Sequence, residues 1–283
     1  MKHIYLNLKR FDIPAEYYGL NRLAPVEKWA ETIVNATQGE LNQYDPSEVE
    51  FIQYYPEAHL LNAINARKGS LKIGCQSVYR EDTSERGNFG AFTSNRTGNA
   101  MKAIGVDSAL IGHCEERNDK KGILKEAGIE DSTAVNRILN QEVLCAQKAG
   151  LTVLYCIGET SEEQPHWQEV LKEQLKVGLQ GADLSKVVIG YEPVWSIGPG
   201  KTPADKEYIT RIARFIKSLM GGVDVVYGGG LKKDNAEMLS GIQEIDGGLI
   251  ALTRFSGEIG FYPDEYLDII HRFLRNVEKK CGR

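Results

Sequence analysis

The sequence predicts an α/β protein organised as a single (β/α)8 barrel over residues 1–283. Three observations predict it. Eight short apolar runs, at 3–7, 49–54, 71–75, 108–112, 151–157, 186–191, 223–227 and 247–252, recur with helical patterns between them, and strands alternating with helices imply parallel βαβ units. The length of 283 residues lies near the roughly 250 that eight such units take. No long linker or low-complexity tract interrupts the series. Closure into a barrel is therefore expected, with an open doubly wound sheet as the alternative.

Composition narrows the partners. Hydrophobic residues make up 42% of the chain and the net charge is -5 without a basic run, which argues against nucleic acid as the main partner. No apolar run approaches the length of a membrane span, and the first ten residues are too charged for a signal peptide, so a cytoplasmic protein without membrane contact is expected. Cys75, Cys114, Cys145, Cys156 and Cys281 are odd in number and lack paired spacing; they read as reduced, mostly buried thiols.

Chemistry in such a barrel belongs at the carboxyl ends of the strands, which can be taken in order. The first strand ends at Asn7-Leu8-Lys9, an amide and an ammonium two residues apart that can point the same way in extended chain. An isolated lysine is usually a surface residue; its place at a strand end singles this one out. The third strand gives Ile73-Gly74-Cys75-Gln76-Ser77-Val78-Tyr79, followed by a loop carrying Gly90-Ala91-Phe92-Thr93. The fourth ends at Ile111-Gly112-His113-Cys114-Glu115-Glu116-Arg117, with His113 the candidate electrophile. A metal site there is not expected, because adjacent side chains point apart and no second cluster has metal-ligand spacing.

The fifth strand ends at Leu154-Tyr155-Cys156-Ile157-Gly158-Glu159-Thr160, and a helix is expected over 163–180. Lys186–Tyr191 is continuous, apolar and β-branched, as in a parallel strand covered on both faces, so Glu192 is a charge at its carboxyl end. Such a glutamate can also merely cap a turn. Pro193 pushes Glu192 toward an extended conformation, and the segment Pro193, Val194, Trp195, Gly198, Gly200 and Lys201 has the composition of a lid moving as a unit. Gly198-Pro199-Gly200-Lys201-Thr202 imitates the tail of a P-loop, but the leading glycine of that motif falls on Trp195. A second helix is expected over 203–220, and a final one from Pro263 to about Glu278. Between them the seventh strand runs into Gly228-Gly229-Gly230, and the eighth reaches Ala251-Leu252-Thr253-Arg254.

Tyr191-Glu192-Pro193-Val194-Trp195 followed by Ile197-Gly198-x-Gly200-Lys201-Thr202 closely resembles the sixth-strand and lid signature of the triosephosphate isomerase family. Asn7-x-Lys9, the fourth and fifth strand ends and Tyr227-Gly228-Gly229 resemble that family's other segments in the same order, from Asn7 to about Asp246. The resemblance implies a TIM barrel that interconverts dihydroxyacetone phosphate and D-glyceraldehyde 3-phosphate with no cofactor, metal or nucleotide. It makes Glu192 the base, His113 the neutral group polarising the carbonyl, and Lys9 the stabiliser of developing charge. Asn7 would orient the substrate, and Glu115 would hold the lysine or histidine. Gly198, Gly229 and Gly230 would meet the phosphate. Thr93 would reach a neighbouring subunit's site, implying a homodimer.

The chain departs from the family pattern in places. Cys114 stands for a serine, Glu116 for an arginine, Gly230 for a serine, and Ala251-Leu252 for a Gly-Gly pair; the loop after the third strand is lengthened by 83–88. Ala251 and Leu252 would line the phosphate side, where Arg254 either supplies a compensating charge-assisted contact or stays at the surface. The departures keep open an isomerase of a longer phosphorylated ketose, such as a tetrulose phosphate, and, more remotely, a non-catalytic binding or regulatory barrel.

Overall fold

The structure is a computed structural model that describes residues 1–129, 131–197 and 201–279. Eight parallel strands close into a barrel in chain order: β1 (Lys2–Asn7), β2 (Val49–Tyr55), β3 (Lys72–Gln76), β4 (Ser108–Ile111), β5 (Thr152–Ile157), β6 (Val187–Tyr191), β7 (Val225–Tyr227) and β8 (Gly247–Ile250). β8 pairs back onto β1, with Ile4 opposite Gly248 and Leu6 opposite Ile250. Each apolar run read from the sequence is one of these strands.

The two-residue period of a strand sorts the core into two layers. Tyr5, Ile52, Tyr54, Leu110, Leu154, Cys156, Val226 and Leu249 fill the barrel interior as one cluster. Their neighbours on the same strands, such as Ile4, Leu6, Val153, Tyr155 and Ile189, pack outward against the helices. Both faces of each strand are thus covered, which is why the runs read as continuous apolar stretches.

The helices are α1 (Trp29–Leu41), α2 (Leu60–Ala66), α3 (Gly98–Ala103), α4 (Cys114–Glu126), α5 (Ser132–Lys148), α6 (Trp167–Gly178), α7 (Lys206–Leu219), α8 (Ala236–Ser240) and α9 (Pro263–Phe273). α7 buries Ile209, Ile212, Ala213 and Ile216 at helical spacing, and Asp205 caps it by accepting the Tyr208 N–H at 2.7 Å. The expected helix over 163–180 is α6 preceded by the single turn Gln164–His166, which contains Pro165. α9 stops earlier than expected. Its buried face ends at Phe273 and Leu274, after which the chain turns so that Lys279 bridges Tyr44 beside α1.

Beneath the end of β4 lies a cluster of charges. Lys120 sits 2.9 Å from Glu116 and 3.0 Å from Glu142 of α5, while Glu116 also accepts the Ser77 hydroxyl and the Gly112 N–H, each at 2.6 Å. Glu116, where the family pattern has arginine, therefore does enter an ion pair behind the strand end. One ammonium cannot neutralise two carboxylates held out of water. Burial and the Glu116 charge push Glu142 up to about 8. Burial opposes ionisation of Glu116 too, but Lys120 and the two donors hold it below the usual glutamate value.

A glutamate in an unfolded chain titrates near about 4.3, so folding takes up a proton at Glu142 between that value and about 8. The folded state then binds more protons than the unfolded one, and this group's contribution makes stability fall as pH rises through that window. Glu142→Gln should flatten the fall by an amount on the order of a few kcal/mol. Urea unfolding of both proteins at pH 5 and pH 8 measures it; parallel pH dependences in the two would refute the raised Glu142 carboxyl.

Candidate active site

The site begins with a strained residue. Lys9, after β1, holds φ at 42°, a region that side chains other than glycine rarely occupy. Two neighbours fix it there. The buried Asn7 accepts the Lys9 N–H on Oδ1 at 3.1 Å, and Gln76 at the end of β3 donates its amide to Asn7 Oδ1 at 3.3 Å and to the Lys9 carbonyl at 3.1 Å. Gln76 stood in the sequence as part of the third strand end without a role of its own. Its position at a strand's carboxyl end was the available signal.

At the end of β4, Gly112 turns the chain with φ of 82°, and His113 becomes the N-cap of α4. Its Nδ1 accepts the Glu115 N–H at 3.3 Å. That nitrogen keeps its lone pair, so the neutral ring carries its proton on Nε2. Nε2 lies 3.2 Å from Glu192 Oε1. The other oxygen, Oε2, accepts the Cys114 N–H at 2.9 Å, in the first turn of α4, where the helix dipole favours an anion. Glu192 is only 3% exposed, and its own N–H donates to the Ile157 carbonyl of β5 at 2.8 Å. Gly228 leaves the space for it: a Cβ there would lie 2.7 Å from Glu192 Cγ and 2.9 Å from the Tyr191 carbonyl oxygen. Glu115 contributes its backbone N–H to His113 and is itself exposed.

Cys114, where the family pattern has serine, is pushed up to about 12 by burial and by the Glu192 carboxylate; the Lys9 ammonium works against that rise. The thiol is therefore kept protonated. Contrary to the expectation that adjacent side chains diverge, the His113 ring folds back over the start of α4 and lies 3.9 Å from the Cys114 sulfur. His113, Cys114 and Glu192 thus offer ligand atoms within 4.8 Å of one another. They suit a metal poorly. A metal-bound imidazole donates its second N–H, whereas Nδ1 here accepts one.

Pro193 leads from Glu192 into the single turn Val194–Ser196. The Trp195 indole donates to Glu159 Oε1 at 2.8 Å, and the Tyr191 and Tyr208 hydroxyls reach the same oxygen at 2.8 and 2.9 Å. Burial raises the Glu159 carboxyl although all three donors favour its charged form. Glu159 thereby anchors the start of the candidate lid to β6 and α7, a role its place in the fifth strand end did not announce. Lys201 is exposed, while Gly198 and Gly200 lie outside the described residues.

On the opposite side, Gly229 and Gly230 follow β7, and Gly230 needs its glycine, with φ of 96°. Asn235 braces this loop by donating to the Gly230 carbonyl at 2.9 Å and accepting the Lys232 N–H at 2.7 Å. After β8, Ala251 and Leu252 are half-buried and lead into a turn closed by the bridge between Arg254 and Gly260. Arg254 donates twice to Glu265 in the first turn of α9, at 2.8 and 2.6 Å, and lies 3.8 Å over the Tyr262 ring. Its charge is engaged within the protein. Thr93 is exposed on the loop after β3, near Phe89, which is 91% exposed.

The arrangement can abstract a proton, polarise a carbonyl and stabilise an oxyanion from groups on β1, β4 and β6. Comparison with known proteins agrees with that chemistry. A family model described as triosephosphate isomerase matches residues 25–271. The triosephosphate isomerase of Lactiplantibacillus plantarum is 32% identical over 256 residues, covering 86% of this chain and 91% of that protein. That of Alkaliphilus oremlandii is 31% identical, covering 88% and 96%. The crystal structure of triosephosphate isomerase from Bartonella henselae, at 23% identity, superposes with a TM-score of 0.71 over 96% of this chain and 98% of that one, which confirms the barrel. With the matched segment running from before α1 into α9 and so spanning the strand ends that hold His113 and Glu192, the chain belongs to the triosephosphate isomerase family.

Proposed function

We propose that the chain is an aldose-ketose isomerase that interconverts dihydroxyacetone phosphate and D-glyceraldehyde 3-phosphate through an enediolate. The observation that carries this is the opposition of Glu192 Oε1 and His113 Nε2 at 3.2 Å, a carboxylate base facing an N–H donor at the mouth of the barrel. Substrate entering between them replaces that contact. Glu192 takes the proton from the carbon next to the carbonyl, the His113 N–H hydrogen-bonds the carbonyl oxygen, and the Lys9 ammonium offsets the negative charge that develops there. The proton then returns to the neighbouring carbon, and redistribution of the hydroxyl proton completes the isomerisation. Asn7 orients the substrate and, with Gln76, holds Lys9. The triose name of the relatives favours the three-carbon substrate over a longer ketose phosphate.

Glu115 belongs to this machinery through its backbone, which fixes the His113 tautomer. Closure of the lid after Pro193 would bring Gly198 to the phosphate and exclude water from the enediolate. Residues Gly229, Gly230, Ala251 and Leu252 form the phosphate side. Arg254 is read as a structural partner of Glu265 rather than a phosphate ligand, because its guanidinium is already paired. No helix among the described residues is long and apolar enough to cross a membrane, and Cys75, Cys114, Cys145 and Cys156 are free thiols, which supports a cytoplasmic enzyme; Cys281 lies outside the described residues.

We also propose a homodimer, with Thr93 and the exposed Phe89 on the loop after β3 supplying the contact. Sedimentation velocity should give the mass of two chains, and Phe89→Asp should shift it toward one. A single-chain mass for the unmodified protein contradicts the dimer. For the reaction itself, Glu192→Gln should lower kcat for dihydroxyacetone phosphate roughly a hundred- to ten-thousandfold. The fold should be unchanged by circular dichroism. An undiminished kcat would remove Glu192 from the role of base.

A further inference from the structure

The mouth of the barrel between the β7 and β8 loops holds a cation that the mechanism has not used. Lys232 follows Gly230 and Leu231 and is half-buried. Its stem lies over Gly230, so that a Cβ on that glycine would meet Lys232 Cε at 3.1 Å. Its ammonium lies 4.2 Å from the centre of the Phe255 ring, which belongs to the turn after β8. The side chain therefore spans from one loop to the other. Asn235 fixes its backbone through the 2.7 Å bond to the Lys232 N–H.

The cations next to Lys232 and Phe255 in the chain are engaged. Lys233 pairs with Asp268 at 3.0 Å and Arg254 with Glu265 at 2.6 Å, yet among the described residues no carboxylate lies within ion-pairing distance of Lys232. An ammonium held against an aromatic face with no ion-pair partner leaves a place for one, and an anion fills it. Barrels of this kind place phosphate between the loops after strands seven and eight. Here Ala251 and Leu252 bring side chains rather than charge to that place, and Gly230 brings none.

We propose that Lys232 is the phosphate-binding cation of this enzyme, its ammonium donating to a phosphate oxygen of the substrate from the space above Gly230, with Phe255 as its platform. The assignment rests on the isomerase reading for the identity of the substrate but not for the presence of an anion site. Lys232 contacts the part of the substrate that does not react, and the assignment takes that contact as made alike in the ground and transition states. Such binding sets KM and leaves kcat alone.

The test compares the full chain with Lys232→Gln and Lys232→Arg, reading kcat, KM for dihydroxyacetone phosphate, and the dissociation constant of inorganic phosphate by calorimetry. Lys232→Gln should raise KM and the phosphate constant roughly ten- to a hundredfold, as expected for a lost hydrogen bond to a charged group, with kcat within about twofold. Lys232→Arg, which keeps the charge, should restore most of the loss. KM and phosphate binding within about twofold of the unmodified values in Lys232→Gln would overturn the assignment, and so would an equal loss in Lys232→Arg. The phosphate titration separates the two claims. Unmodified protein that binds phosphate through Lys232 yet turns over no triose phosphate would refute the isomerase reading and leave the anion site standing.

Discussion

A buried carboxylate must be satisfied where it lies, and the site is arranged around that constraint. Glu192 is almost wholly withdrawn from solvent, so each of its oxygens needs a donor to offset the lost hydration. Oε2 finds the first N–H of α4, and Oε1 faces the imidazole of the residue that caps the same helix. Both partners come from one turn of chain at the end of β4. The proposed base and electrophile are therefore positioned by a single feature, the start of a helix against the end of a neighbouring strand. Gly112, whose left-handed backbone starts that turn, and Gly228, whose missing side chain leaves room for the carboxylate, are required by the same arrangement.

Around this centre the fold spends stability on position. Lys9 is kept in an unfavourable backbone region by Asn7 and Gln76. Glu159 is a second buried carboxylate, and three donors share one of its oxygens while the other has no partner among the described residues. It ties Trp195 to Tyr191 and Tyr208, so the chain leaving Glu192 starts from a fixed point. The Glu116 and Glu142 pair under β4 is a third case, in which two acids share one lysine behind the strand end that carries His113. Strain and buried charge of this kind are common where a site must be preorganised.

The strands were legible because burial on both faces writes itself into sequence as continuous apolar runs, Val187–Tyr191 being the plainest. Glu192 and His113 were legible because a charge or an imidazole directly after such a run falls at the mouth of a barrel. What escaped was whatever depends on contacts between distant segments. Nothing local in Gln76 says that it will hold Lys9, 67 positions away. The convergence of His113 with Cys114 follows from the N-cap conformation, which the rule for extended chain does not describe. Arg254 could be read from sequence as a phosphate ligand or a surface residue, and only the two hydrogen bonds it donates to Glu265, together with the Tyr262 ring, show it occupied. The same turn sets Phe255 against Lys232, a pairing of residues 23 apart on different loops.

The central claim is that Glu192 moves a carbon-bound proton through an enediolate, and isotope exchange tests it most directly. Dihydroxyacetone phosphate would be converted in deuterium oxide and the D-glyceraldehyde 3-phosphate examined by proton NMR. A carboxylate that holds the abstracted proton at the mouth of the barrel exchanges it with solvent, so deuterium should appear at C2 of the product, and Glu192→Gln should abolish both turnover and labelling. Undiminished turnover and labelling by Glu192→Gln would contradict the account.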